Sequence, residues 1–109
     1  MIQPGEVVTL EFPGARVTKR RPAVVLSSVL YHQSRPDVIV GIVTSRLDAA
    51  TGPTDYVLKD WSLAGLRRPS AFRVFLATLP AASVTRIGRL SDRDWREVRE
   101  RVRLALSCS

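Results

Sequence analysis

The chain has 109 residues, 45% of them hydrophobic and 25% charged, which suits one soluble globular domain with a modest core and argues against a disordered body. Its net charge is +7 with a pI near 11.0, and 15 of its 17 cations are arginine, a composition that favours a polyanionic partner such as nucleic acid over the alternative of a merely solvated arginine-rich surface. The lone cysteine, Cys108, excludes an internal disulfide, no apolar run approaches the ~20 residues of a membrane span, and the first residues have no basic-then-apolar leader pattern, so the cytoplasm is the expected compartment.

Pro4-Gly5 opens the chain as a turn. Residues 6 to 12 then alternate, with Val8, Leu10 and Phe12 on one face and Val7, Thr9 and Glu11 on the other, the pattern of a half-buried strand. Pro13-Gly14 breaks it, and residues 15–20 read as a basic loop. Pro22 forces Arg21 into extended geometry and leads into an apolar strand over residues 23–28, so Lys19, Arg20 and Arg21 are expected at that strand's mouth.

Residues 29–36 show no clear period. Val38 to Val43 is the most continuous apolar run and predicts a central strand, with Gly41 marking a bulge or close packing, and it ends on the polar group Thr44-Ser45-Arg46. Short strands follow at 54–58, 72–78 and 84–90, with one helical turn near Trp61. Arg67-Arg68-Pro69 repeats the pattern of two cations before a proline. Ser91 suits a helix N-cap with Asp94 as a weak capping box, and Trp95, Val98, Val102 and Ala105 recur at helical spacing. Residues 91–106 carry five arginines and four carboxylates, so nearly all of the excess positive charge lies in the β body and its loops. The expected architecture is α+β, one domain over 1–109, with five or six short strands in a curled sheet or small barrel and a C-terminal helix.

The scattered carboxylates, the single His and the single Cys fit no metal site, so neither a metal nor a cofactor is expected. His32 reads as exposed or capping a turn and supports no triad. What remains is arginine and hydroxyl chemistry. Lys19, Arg20 and Arg21 stand at one strand end, Thr44 and Ser45 at another. If these ends converge, they suit attack of a ribose 2′-hydroxyl on its own 3′-phosphate, which needs orientation and charge neutralisation but no metal. The alternative is a solvated hairpin turn beside a strand-capping threonine.

Five segments in order resemble the MazF/PemK toxins of bacterial toxin–antitoxin pairs. They are Gly5-Glu6-Val7-Val8, then Lys19 to Ser27 around Arg21-Pro22, then Val38 to Ser45, then Gly65-Leu66-Arg67-Arg68-Pro69-Ser70, and finally Leu76 to Leu79 with Ile87 to Ser91. The resemblance implies a small SH3-like β-barrel of five to seven strands with helices attached, usually a homodimer. It also implies a metal-independent endoribonuclease that cuts single-stranded RNA and is blocked by a cognate antitoxin. On that footing Arg21 and Thr44 are the catalytic residues. Lys19 and Arg20 hold flanking phosphates, Ser45 adds a hydroxyl, and Arg16, Arg46, Arg67 and Arg68 are further RNA contacts. Two departures stand out: the glutamate many members carry shortly before Arg-Pro has no counterpart in Gly14 to Thr18, and a glutamine many carry near the strand ending at Ala77-Thr78 is missing. Alternatives are a non-catalytic module of the same fold that binds nucleic acid or antitoxin, and a toxin directed at DNA gyrase, against which Arg21-Pro22 and Thr44 argue.

Overall fold

The computed structural model describes residues 2–12 and 19–107, without the side chains of Phe12 and Lys19. The strands are β1 (Glu6–Phe12), β2 (Lys19–Val25), β3 (Asp37–Thr44), β4 (Tyr56–Val57), β5 (Ala71–Pro80) and β6 (Thr85–Arg89). Two helices, α1 (Val29–Ser34) and α2 (Asp92–Ala105), interrupt and close the chain. The strands form one curled antiparallel sheet in the order β4-β5-β3-β2-β1-β6. The α+β expectation, a six-stranded curled sheet with a C-terminal helix, is met.

Alternation along the strands feeds two cores. Val7, Val24, Val43 and Phe72 face Val98 of α2, with Trp95 and Val102 packed around them. Val8, Leu10, Ala23, Val25, Val38 and Val40 fill the opposite face, closed by Ile2, Ala77, Leu79, Ala81 and Val84. β1 is therefore buried on both faces at its start, since Val7 and Val8 are both 0% exposed, and not half-buried throughout as its alternation suggests. Val98 continues the helical stripe into the core, but Ala105 is exposed, so the stripe ends at Val102.

The largest correction concerns β2. It begins at Lys19 and ends at Val25, so the three cations lie within the strand and not before it. β1 supplies their partners: Phe12 faces Lys19, Glu11 faces Arg20 and Leu10 faces Arg21. On its other side β2 meets β3 only over Ala23↔Ile42, Val24↔Gly41 and Val25↔Val40. The carbonyl of Val25 accepts from Gly5 on the β1 side, and the N–H of Leu26 donates to Ile39 on the β3 side. Alternation directs the backbone of Pro22 toward β3, where it has no N–H to offer, and the ladder stops one residue short of it.

Two irregularities bend the sheet. Between Val7↔Gly88 and Val8↔Arg86, Ile87 is an extra residue on β6. Between Gly41↔Leu76 and Val43↔Phe72, Ile42 alone stands opposite Arg73, Val74 and Phe75. Such bulges kink a strand and re-aim its side chains. A Cβ on Gly41 would run into the Phe72 ring, so both readings of this glycine hold.

α1 forms from the stretch without a period because it buries nothing; Ser28 caps it by accepting from the N–H of Tyr31 at 3.1 Å. His32 is half-buried, against expectation, with Nε2 2.5 Å from the hydroxyl of Ser27, which also accepts from the N–H of Ile39 at 3.0 Å. No helix of the described residues is long and apolar enough to cross a membrane.

Ser91 caps α2, accepting from the N–H of Asp94 at 3.3 Å. The carboxylate of Asp94 does not complete a capping box. It is fully buried and accepts from the hydroxyl of Tyr56 at 2.7 Å and from the N–H groups of Lys59 at 3.1 Å and Asp60 at 2.8 Å. Burial and this carboxylate push the Tyr56 hydroxyl above the ordinary tyrosine range. Hydrogen bonds from Arg93 and Ser91 hold the Asp60 carboxyl at about 2, below its ordinary value. Asp94 thus fastens α2 to the segment that leads to the second basic loop. Asp94→Ala strands the buried Tyr56 hydroxyl and leaves two backbone N–H groups without their acceptor, lowering stability by about 3 kcal/mol in urea denaturation, while Asp92→Ala on the same turn changes it by less than about 0.5 kcal/mol.

Candidate nucleic-acid interface

Because the β2–β3 ladder stops at Ala23↔Ile42, continuing its register by two residues sets Arg21 opposite Thr44 with no backbone bonds between them. A cleft of about 690 Å³ opens at this end of the sheet. Arg20, Arg21 and Pro22 of β2 form one wall, Thr44 and Ser45 at the end of β3 a second, and Leu66, Arg67 and Arg68 a third, with Thr9 and Ile87 beside them. Six of the nine residues picked out in the sequence therefore line one space: Arg20, Arg21, Thr44, Ser45, Arg67 and Arg68.

The other three do not join them. Arg46 is turned away, its side chain 77% exposed and 3.4 Å from Asp48; its N–H donates to the Thr44 hydroxyl oxygen at 3.1 Å and so orients that group. Arg16 and the side chain of Lys19 lie outside the described residues.

The cations of the cleft are not equivalent. Arg20 is anchored: its guanidinium donates to the Thr9 hydroxyl at 2.8 Å and the Thr85 hydroxyl at 3.2 Å and stands 3.6 Å from Glu11. Arg21, Arg67 and Arg68 have no carboxylate partner among the described residues. Among the described residues neither carboxylate nor imidazole lines the cleft, so the donors they supply are guanidinium, hydroxyl and backbone groups. Among the described residues no group of three or more His, Cys, Asp or Glu is arranged to hold a metal ion.

Glycine sets the third wall. Gly65 has a φ of +87°, which carries the chain sharply out of the turn at Trp61 to Ala64. A Cβ there would collide with the carbonyl of the bulged Ile87, and a Cβ on Gly88 with the carbonyl of Ala64. The two backbones thus interlock. Ser70, buried, donates its hydroxyl to the carbonyl of Arg68 at 2.8 Å and holds the loop's far end.

A second groove of about 340 Å³ is lined by Arg21, Ile42, Thr44, Arg73 and Phe75. Arg21 and Thr44 line both spaces, because Arg21 shares its sheet face with Ala23 and Val25 while Arg20 shares the other with Val24. Sequence reading missed Thr9, Thr85, Arg73 and Phe75. Thr9 carried a usable signal, a polar residue two positions from the buried Val7 on the same face; Arg73 and Phe75 carried none, since only the bulge exposes them. Gly88→Ala forces the loop off β6 and costs about 2 kcal/mol by urea denaturation, whereas Gly52→Ala, facing only the flexible Asp55 side chain, costs less than about 0.5 kcal/mol.

Residues 3–106 match the family model described as PemK-like, MazF-like toxin of type II toxin–antitoxin systems. Among solved structures, the chain is similar to MazF in a MazE–MazF structure from Deinococcus radiodurans, at 25% identity and a TM-score of 0.78 over 99% of this chain and 98% of that one. The Mycobacterium tuberculosis toxin MazF-mt6 shares the fold at 18% identity and a TM-score of 0.74, over 95% and 98% of the two chains. An endoribonuclease bound to its cognate antitoxin, from a mycobacterial species, shares it at 14% identity and 0.70, over 100% of each. Comparison with curated protein sequences returned no match.

Proposed function

Since the chain belongs to the PemK-like, MazF-like toxins of type II toxin–antitoxin systems, we propose that its basic cleft cuts single-stranded RNA, without a metal ion, at short sequences. The observation that carries this reading is the pairing of an uncompensated Arg21 with Thr44 across the break in the β2–β3 ladder. In the reaction the 2′-oxygen bonds to the adjacent phosphorus and the bond from phosphorus to the 5′-oxygen breaks. The products are a 2′,3′-cyclic phosphate and a 5′-hydroxyl.

Arg21 neutralises the charge that builds on the phosphorane oxygens, and its fixed fork suits two of them. The Thr44 hydroxyl, held as acceptor by the Arg46 N–H, donates its own proton to a phosphate oxygen and aligns the attack. Arg67 and Arg68 hold phosphates on one side, and the anchored Arg20 and Ser45 frame the other. With no carboxylate or imidazole among the described residues of the lining, water takes the proton from the 2′-hydroxyl and gives one to the leaving 5′-oxygen. The same positive cleft is the surface an antitoxin must cover, which favours an acidic antitoxin segment. The working form is a cytoplasmic homodimer, as expected of this family.

Purified protein in excess EDTA is expected to cleave single-stranded RNA from a randomised pool. Arg21→Ala and Thr44→Ala, each folded by circular dichroism, lower the rate at least ~100-fold, and Arg21→Lys does not restore it. Full activity in either alanine variant removes that residue from the mechanism. A wild type that binds RNA and never cuts it makes the protein a binding module.

The pH profile separates two proton carriers. With water carrying both protons, kcat/KM stays level and shows no limb between about pH 4 and pH 8. A limb in that range that disappears in Glu11→Gln transfers the role to Glu11, the carboxylate beside Arg20.

A further inference from the structure

Phe75 is 60% exposed, and no other aromatic side chain among the described residues is as open to solvent. Exposure on this scale forgoes the stabilisation that burying a phenyl ring supplies. Arg73, Val74 and Phe75 all stand opposite Ile42, and this bulge takes Phe75 out of the ladder. It lines the second groove together with Arg21, Ile42, Thr44 and Arg73.

An exposed ring beside guanidinium groups is what a single-stranded nucleic acid needs. Cations hold the phosphate, and the ring offers a flat face to the neighbouring base. Because Arg21 and Thr44 line both grooves, a strand whose phosphate lies between them has a path into the second groove as well as the first. Resting on the ribonuclease reading above, we propose that Phe75 stacks on the base of a nucleotide flanking the scissile phosphate and is a substrate-binding residue of this protein. Stacking is tolerant of base identity, so selection between bases falls to the groove's shape at Ile42 and to the half-buried Arg73, whose Nε has no hydrogen-bond partner and is 3.6 Å from Asp55.

The test uses the full chain in EDTA, with an RNA oligonucleotide whose cut site has been found in a randomised pool. Phe75→Ala is expected to raise KM about 10-fold with kcat within ~2-fold and an unchanged melting temperature. Phe75→Trp restores KM. An abasic nucleotide next to the cut raises KM for the wild type by a similar factor and raises it no further for Phe75→Ala. An unchanged KM in Phe75→Ala overturns the proposal. So does a loss of affinity that coincides with a change in oligomeric state by sedimentation and is indifferent to the abasic position, which makes Phe75 a contact between copies of the chain. If the wild type cuts no RNA, the ribonuclease reading fails by itself. Phe75 is then judged by fluorescence anisotropy with a fluorescein-labelled single-stranded RNA of mixed sequence. Weaker binding by Phe75→Ala, restored in Phe75→Trp, upholds it, and equal binding or none by either protein overturns it.

Discussion

The missing N–H of Pro22 governs the end of the sheet where the cleft lies. A regular residue there would donate to β3 and extend the ladder to the tip of both strands. The side chains of Arg21 and Thr44 would then flank a closed pair of strands. With proline in place, pairing ends at Ala23↔Ile42, while β1 still holds β2 in register as far as Lys19. The result is a strand fixed along one edge and open along the other. Rigidity comes from the β1 side and access from the β3 side, and the role proposed for Arg21 requires both.

The remaining walls depend on irregularities of the same kind. The bulge at Ile87 offers the carbonyl against which Gly65 packs, so the loop bearing Arg67 and Arg68 rests on β6. The bulge opposite Ile42 turns Arg73 and Phe75 toward the second groove. Behind them, Asp94 ties Tyr56, Lys59 and Asp60 to α2 with three hydrogen bonds, so the helix braces the segment that leads into the basic loop. A carboxylate so buried is tolerated because its oxygens are satisfied by neutral donors.

Much of this was legible in the sequence where burial leaves a period. The alternation in β1, the apolar run of β3 and the stripe of Trp95, Val98 and Val102 each signal a face that packs against something. The convergence of Arg21 and Thr44 was legible because both end apolar runs. What escaped reading had no period to leave. α1 buries no residue and so shows no stripe. The start of β2 is polar, and only its pairing with β1 makes it a strand. Phe75 belongs to a run that looks like any other strand, and its exposure follows from a register shift that involves a second segment distant in the chain. Asp94 stands where a capping box would put an acid, and only the tertiary fold turns its side chain inward.

The distribution of ion pairs bears on how the protein responds to ionic strength. Of its 15 arginines, Arg20, Arg35, Arg46, Arg73, Arg86, Arg93, Arg101 and Arg103 each stand beside a carboxylate of the same chain. A cation already neutralised displaces little salt from a phosphodiester when it meets one. The steepness with which added salt weakens a polyanion complex counts newly neutralised phosphates, at about 0.7 per phosphate for a single strand. Among the described residues, the unpaired guanidinium groups that line the cleft are Arg21, Arg67 and Arg68, and for a strand bound there they, and not the net charge of +7, set that steepness. If the proposed function holds, a chain with a pI near 11.0 is in this way kept from being a general adhesive for polyanions.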